Sequence, residues 1–285
     1  RIAEPIGLFA RHGMKPVFTV LESGSVATSA LISRSVPAII GGTSELLFAK
    51  IKSQDLVIVA NTFSGFGATL VLSRAAVAKA GVDASAPPPT RLKALDNLLI
   101  ASPSATSDYT FSFKGAAAAQ GATIRFTHMA QTAMPAALDT GAIDGYIASA
   151  PNWVPPLLRN TGVVWISGPK GELPAELTPI SSSNLQMRRD VAQSNPGLAR
   201  RLANVVADLV KAVDEQPAAV RSAINAYYAD LSPQALDIIY ASEAASWKAR
   251  PMSVADIEHD IRFLKMTGAN LQGIESIDLK TALWP

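Results

Sequence analysis

The sequence has no cysteine. That removes disulfides, thiol nucleophiles and thiolate metal sites together. Aromatic residues make up 6% and charged residues 17%, and the formal net charge is +2. Lys and Arg are scattered, and the pairs Arg188-Arg189 and Arg200-Arg201 sit beside helical patterns as solvated faces. Nothing reads as a nucleic-acid-binding stripe. No apolar run approaches the ~18 residues of a membrane span. The three histidines, His12, His128 and His259, lie far apart with no second ligand at i+3 or i+4, which argues against a metal site. No phosphate-binding glycine loop, dinucleotide glycine pattern or G-x-S-x-G elbow appears.

What is present is apolar. Hydrophobic residues form 48% of 285 residues, enough for one large or two medium domains with a proper core. Short apolar runs at Val17–Leu21, Ala38–Ile40, Leu56–Ala60, Ala68–Leu72, Leu98–Ala101, Tyr146–Ala148 and Val163–Ile166 predict strands. Helical patterns at Ser25–Ser33, Ser44–Lys52, Asp108–Gln120, Ala133–Thr140 and Pro151–Arg159 lie between them. This alternation predicts an α/β fold with largely parallel sheets. "LISRSVPAIIGGTSE" and "LDTGAIDGYIASAPN" share one plan of helix end, turn, strand and new helix start, as two similar lobes would, or as one large sheet repeating a common βα unit would. After about residue 185 strand signals stop and helices are expected, at Pro196–Asp214, Pro217–Ala229, Pro233–Ser246 and Val254–Thr267. The simplest reading of these is a helical cap without chemistry of its own. "APPPTRLKALDN" (86–97) reads as a joint before the second α/β unit, and "TPISSSNLQM" (178–187) as an extended return.

Small polar residues recur where strands give way to helices. They occur at Ser23-Gly24-Ser25, at Gly42-Thr43-Ser44, at Ser104 with Thr106, Ser107 and Tyr109, and at Ser149 with Trp153. One such turn is a helix cap, with Thr106 or Ser107 as N-cap and Asp108 complementing the dipole. Several at strand C-terminal ends form a crevice, because open α/β sheets bind ligands there. Bare helix N-termini and hydroxyls favour an anion's oxygens. Glu22, Glu45 and Asp108 stand near the same loops, so the sign of the ligand's charge is left open.

"RIAEPIGLFARHGMKPVFTVLESG", "RLKALDNLLIASPSATSDY", "MPAALDTGAIDGYIASAPNW" and the final "IDLKTALWP" resemble, in order and spacing, the nitrate/sulfonate/taurine-type periplasmic substrate-binding proteins of ABC transporters. The matched positions include Ala3, Gly7, Leu8, Phe9 and Gly13, then Ala137, Leu138, Gly141, Ile143 and Asp144. The resemblance implies a type II periplasmic-binding-protein fold, two α/β lobes joined by two crossover strands. Lobe one would comprise 1–97 plus 185–285, and lobe two 98–184. The cleft would hold a small organic anion, a sulfonate or carboxylate, by hinge closure. The resemblance places the ligand loops on the four turns above, with Asn184 near the return crossover, and with Tyr109, Trp153 or Phe63 flanking the apolar body. Arg34-Ser35-Val36-Pro37 replaces the family's G-x-V/I-D turn, and Ser149 or Ala150 stands where some sulfonate binders carry an acidic or aromatic residue. A bulkier solute such as an aromatic acid then has room.

The implied protein is a periplasmic or lipid-anchored monomer that works with an inner-membrane permease, with no cofactor, no metal and no nucleic acid. The family's strand before "IAE" does not appear in this sequence, and any targeting segment is expected to lie outside it. The alternative is an enzyme on the same fold acting on an aromatic or pyrimidine substrate, in which His128 or Asp108 would be sensitive to mutation. The absence of cysteine removes the nucleophile such enzymes use.

Overall fold

The computed structural model describes residues 1–285, the side chain of Ala245 excepted. Eight strands are formed: β1 (Ala38–Gly41), β2 (Leu56–Phe63), β3 (Thr69–Ser73), β4 (Leu99–Ser102), β5 (Arg125–His128), β6 (Gly145–Ala148), β7 (Gly162–Ser167) and β8 (Ser183–Arg188). They make a three-stranded sheet in the order β1-β8-β2 and a five-stranded sheet in the order β5-β4-β6-β3-β7. The helices used below are α1 (Gly24–Ile32), α2 (Thr43–Ile51), α3 (Asp108–Ala118), α4 (Pro196–Glu215), α5 (Pro217–Tyr227), α6 (Pro233–Glu243) and α7 (Val254–Met266).

The chain crosses between the sheets twice, over 64–68 and 168–182. The strand that follows each crossing is the antiparallel one of its sheet: β3 beside β6 and β7, and β8 beside β1 and β2. The largely parallel sheets expected from the alternation are therefore mixed. The reason is geometric. A chain arriving from the other lobe enters at the cleft edge and runs away from it, while the home strands run toward it.

The two crossings are tied together. Gly65 N–H donates to the Ile180 carbonyl at 2.7 Å, and Ser182 N–H returns to the Gly65 carbonyl at 3.2 Å. The buried Ser181 hydroxyl lies 2.7 Å from both Asn61 Oδ1 and the Phe63 carbonyl, and Asn61 Nδ2 donates to the Arg250 carbonyl.

Three expectations change. Val17–Leu21 forms no strand; Val17 is 93% exposed and Val20 70%, with no described strand beside them. Residues 125–128 pair with β4 but read "RFTH", a half-exposed edge strand without an apolar run to announce it. Finally, β3 joins the five-stranded sheet, so sheet membership changes between Phe63 and Thr69 rather than at 97/98.

Each sheet has its own core. Leu70, Leu72, Ile100, Phe113, Ile147 and Trp165 pack in the five-stranded lobe. Leu31, Leu46, Leu47, Leu56, Ile257 and Phe263 pack in the other. Helix α3 follows β4 yet lays Phe111 into the second of these cores, 5.9 Å from the Phe48 ring. Gly115, one turn on, faces Thr267: an added Cβ would overlap Thr267 Cγ2 and lie 3.1 Å from its Cβ. The lobes are thus in contact. Gly115→Ala is expected to cost this contact about 1–3 kcal/mol by overpacking. The variant should scatter X-rays with a larger radius of gyration than the parent; an unchanged radius would show that α3 does not limit closure.

Candidate functional site

The cleft lies at the C-terminal ends of β1, β4 and β6, between the sheets. Its polar compartment, about 140 Å³, is walled by Gly24, Gly41, Gly42 and Glu45 from the three-stranded lobe. Pro103, Ser107, Asp108, Tyr109 and Gln131 wall it from the other lobe, with Ser182 and Ser183 at the return crossing. A second compartment of about 530 Å³ shares Tyr109, Ser182 and Ser183. Its far wall is mostly apolar: Val206, Leu209, Val210 and Val213 of α4, Val220 and Ile224 of α5, then Tyr228, Ile239 and Trp247, with Arg1 and Glu243 as the charged groups of its lining. The helical cap therefore covers its sheet and also lines a chamber. The signal was present in α4, where Val206 and Val210 widen the apolar stripe beyond the Leu198, Leu202, Val205, Leu209, Val213 face.

Two carboxyl groups meet in the polar compartment. Glu45 sits in the first turn of α2 and Asp108 in the first turn of α3, so each complements its helix dipole. Both are pressed against glycine. A Cβ at Gly42 would lie 2.6 Å from Asp108 Oδ2 and 2.6 Å from Glu45 Oε2; one at Gly24 would lie 2.7 Å from Glu45 Oε1. Ser44 links the lobes here. Its hydroxyl is 3.1 Å from Glu45 Oε2 and 3.1 Å from the Thr106 carbonyl, sharing one proton between them. Both Asp108 oxygens are buried with no hydrogen-bond partner. Burial, then the charges of Glu45 and Asp260, raise the Asp108 carboxyl well above the ordinary range, and nearby Ser44 offsets only part of this. Burial raises Glu45 to about 7. In the larger compartment burial raises Glu243 to about 7, although Trp153 Nε1 donates to it at 2.9 Å. Burial also pushes the Tyr109 hydroxyl up.

The residues singled out from sequence divide by where the structure puts them. Gly24, Gly42, Ser107 and Tyr109 line the polar compartment; Ser149, Phe63 and Tyr109 line the larger one. Ser107 also caps α3, accepting from Tyr109 N–H at 3.1 Å. Ser23 caps α1 and bonds Ser25 at 2.9 Å; neither lines the cleft. Ser104 and Thr106 bond each other on the loop rim at 3.5 Å. Thr43 and Asn184 are fully buried and bond each other at 3.1 Å, Thr43 also donating to the Ser181 carbonyl. Trp153 is 1% exposed in the core behind the cleft. His128 is tied to the Ser102 hydroxyl at 2.9 Å and touches neither compartment. Sequence reasoning missed Gln131, whose Oε1 takes both the amide and the hydroxyl of Ser149, at 2.8 and 3.1 Å. It also missed Ser182 and Ser183, for which the Ser181-Ser182-Ser183 run was the available signal.

Two lobes, two crossings and a cleft lined from both sides are the type II periplasmic-binding-protein fold. The chain belongs to the NMT1-like family, whose model matches residues 2–227. It is similar in structure to a protein of Bordetella bronchiseptica RB50, with a TM-score of 0.77 at 16% identity, covering 99% of this chain and 88% of that one. It is also similar to the alkanesulfonate-binding protein SsuA of Xanthomonas axonopodis pv. citri bound to MOPS (0.72, 14%, 99% and 93%). A third is the zinc-bound ligand-binding component of an ABC-type import system from Staphylococcus aureus (0.73, 12%, 100% and 93%). No curated protein sequence matches the chain. No described helix is long and apolar enough to cross a membrane.

Proposed function

We propose that this chain is the solute-binding component of an ABC importer, working in the periplasm and handing a small molecule to an inner-membrane permease. The observation that carries the reading is the cleft, whose polar compartment takes walls from both lobes and from the crossing between them. A solute seated there favours the closed form by contacting both lobes, and closure is what a permease reads. The family membership and the fold support the same reading. The anion expected from the resemblance has less support, because Glu45 and Asp108 already occupy the two helix starts an anion would use. The protein is read as a monomer that returns its solute unchanged.

The test is native mass spectrometry of the purified protein, followed by thermal-shift screening of amines, carboxylates, sulfonates and neutral metabolites. A solute at a hundred times its Kd should raise the melting temperature by about 5 °C. No bound mass and no shift with any class would overturn the reading, as would conversion of the solute to a product.

A further inference from the structure

Asp108 is 4% exposed, lines the polar compartment, and has no partner of good hydrogen-bond geometry on either carboxylate oxygen, the Ser44 amide and hydroxyl lying near it without aligning. Glu45, 7% exposed, reaches the same place from the other lobe. The ion pairs formed by Lys, Arg and His among the described residues lie elsewhere and include neither group. A buried carboxyl pair without a counter-charge keeps a proton or takes a cation.

The cleft also disfavours the opposite ligand. An anion's oxygens at the start of α2 or α3 would meet a carboxyl group already holding that helix dipole. A divalent metal is disfavoured on composition: among the described residues no third His, Cys, Asp or Glu completes a coordinating set. An organic cation needs only acceptors on one side and apolar surface on the other. Beyond Tyr109 the larger compartment supplies that surface.

We propose that Glu45 and Asp108 form the head-group site for a protonated amine or amidinium whose apolar body lies in the chamber walled by Val210, Val213, Ile224 and Tyr228. The inference rests on the solute-binding reading and names its substrate class. The ammonium N–H groups donate to the free oxygens of Asp108 and to Glu45, one from each lobe, so the cation itself draws the lobes together. Tyr109 stands where the two compartments meet.

The experiment compares matched probes by calorimetric titration: 2-phenylethylamine against phenylacetate, hexylamine against hexane-1-sulfonate, and calcium and zinc chlorides. The parent, Asp108→Asn and Glu45→Gln are titrated in parallel. Both substitutions keep shape and remove charge, and Glu45→Gln carries the test should Asp108→Asn not fold. The amines are expected to bind the parent and to weaken about tenfold to a hundredfold in each variant, as loss of a charge-assisted hydrogen bond does. Amines that fail to bind the parent, or that bind parent and variants alike, overturn the proposal. So does binding of the anions or metals alone, or of an anion that tightens when Asp108 is neutralised. Binding of an anion or metal leaves the solute-binding reading standing; silence from every probe, with no solute in the purified protein, removes both.

Discussion

Acidification from pH 8 to pH 5 is expected to stabilise this protein, by about 2 kcal/mol from Glu45 alone. Glu45 has a folded-state value of about 7 against 4.5 in an ordinary environment, chiefly because it is buried. At pH 8 the group is ionised in both states, and the folded state bears the cost of burying the charge. As pH falls through 7 the folded protein takes up a proton that the unfolded chain binds only near 4.5. Stability therefore rises across that window and levels off below it. Asp108, also raised, faces Glu45 across the cleft and adds in the same direction. Asp260 of α7, raised by burial despite the Ile180 amide and His259 at its Oδ1, does likewise. So does Glu243 in the larger compartment. Asp190, held at about 2 by its hydrogen bond to Arg188, titrates below the window. Urea midpoints at pH 8, 6.5 and 5 measure the effect. Glu45→Gln should flatten the slope and raise stability at pH 8; an unaltered slope would show that Glu45 is not the titrating group.

Trp165→Ala is expected to destabilise the five-stranded lobe by about 4 kcal/mol, the usual cost of deleting a fully buried indole. Trp165 is 0% exposed, and its Nε1 donates to the Arg91 carbonyl at 2.8 Å. Arg91 returns a hydrogen bond to the Trp165 carbonyl and holds Glu172 through Nη1 and Nη2 of its guanidinium. Glu172 in turn accepts from Ser167 N–H at 2.7 Å. The pair thus fastens the 88–93 helix to β7, and the alanine variant loses packing and strands the Arg91 carbonyl together. Trp165→Phe keeps most of the volume and loses the N–H donor, so about 1 kcal/mol is expected. Thermal melts of both variants test this; equal losses would mean that packing contributes nothing at this position.

The layout of strands and helices was legible because it is written locally. Leu70, Val71 and Leu72 are an apolar run wherever they pair, and the spacing of Leu198, Leu202 and Val205 makes one helix face regardless of what it covers. Pairing across the crossings was not legible. That β3 leaves the lobe of β2, and that β8 inserts between β1 and β2, depends on contacts such as Gly65 with Ile180, which leave no periodic trace. The candidate site divides in the same way. Loops at strand ends could be found from Gly42, Ser107 and Ser149. Which side chains of those loops turn inward could not, because Thr43 is captured by Asn184 and Ser181. Glu45 and Asp108 could be placed near the ligand loops, but that the two meet exists only once the lobes come together.

The insertion of β8 also orders the assembly of the molecule in time. All five strands of the larger sheet come from residues 69–167, an uninterrupted stretch that can pair as soon as it is synthesised. The smaller sheet cannot: β1 and β2 are made first, yet each pairs only with β8, which arrives after that whole stretch. Until then Leu56, Val57, Ile58 and Val59 lie in an unpaired apolar strand, the kind of segment that aggregates when left waiting. The smaller sheet is completed only after the larger one, and the nascent protein depends on the five-stranded lobe folding promptly to bring β8 into place.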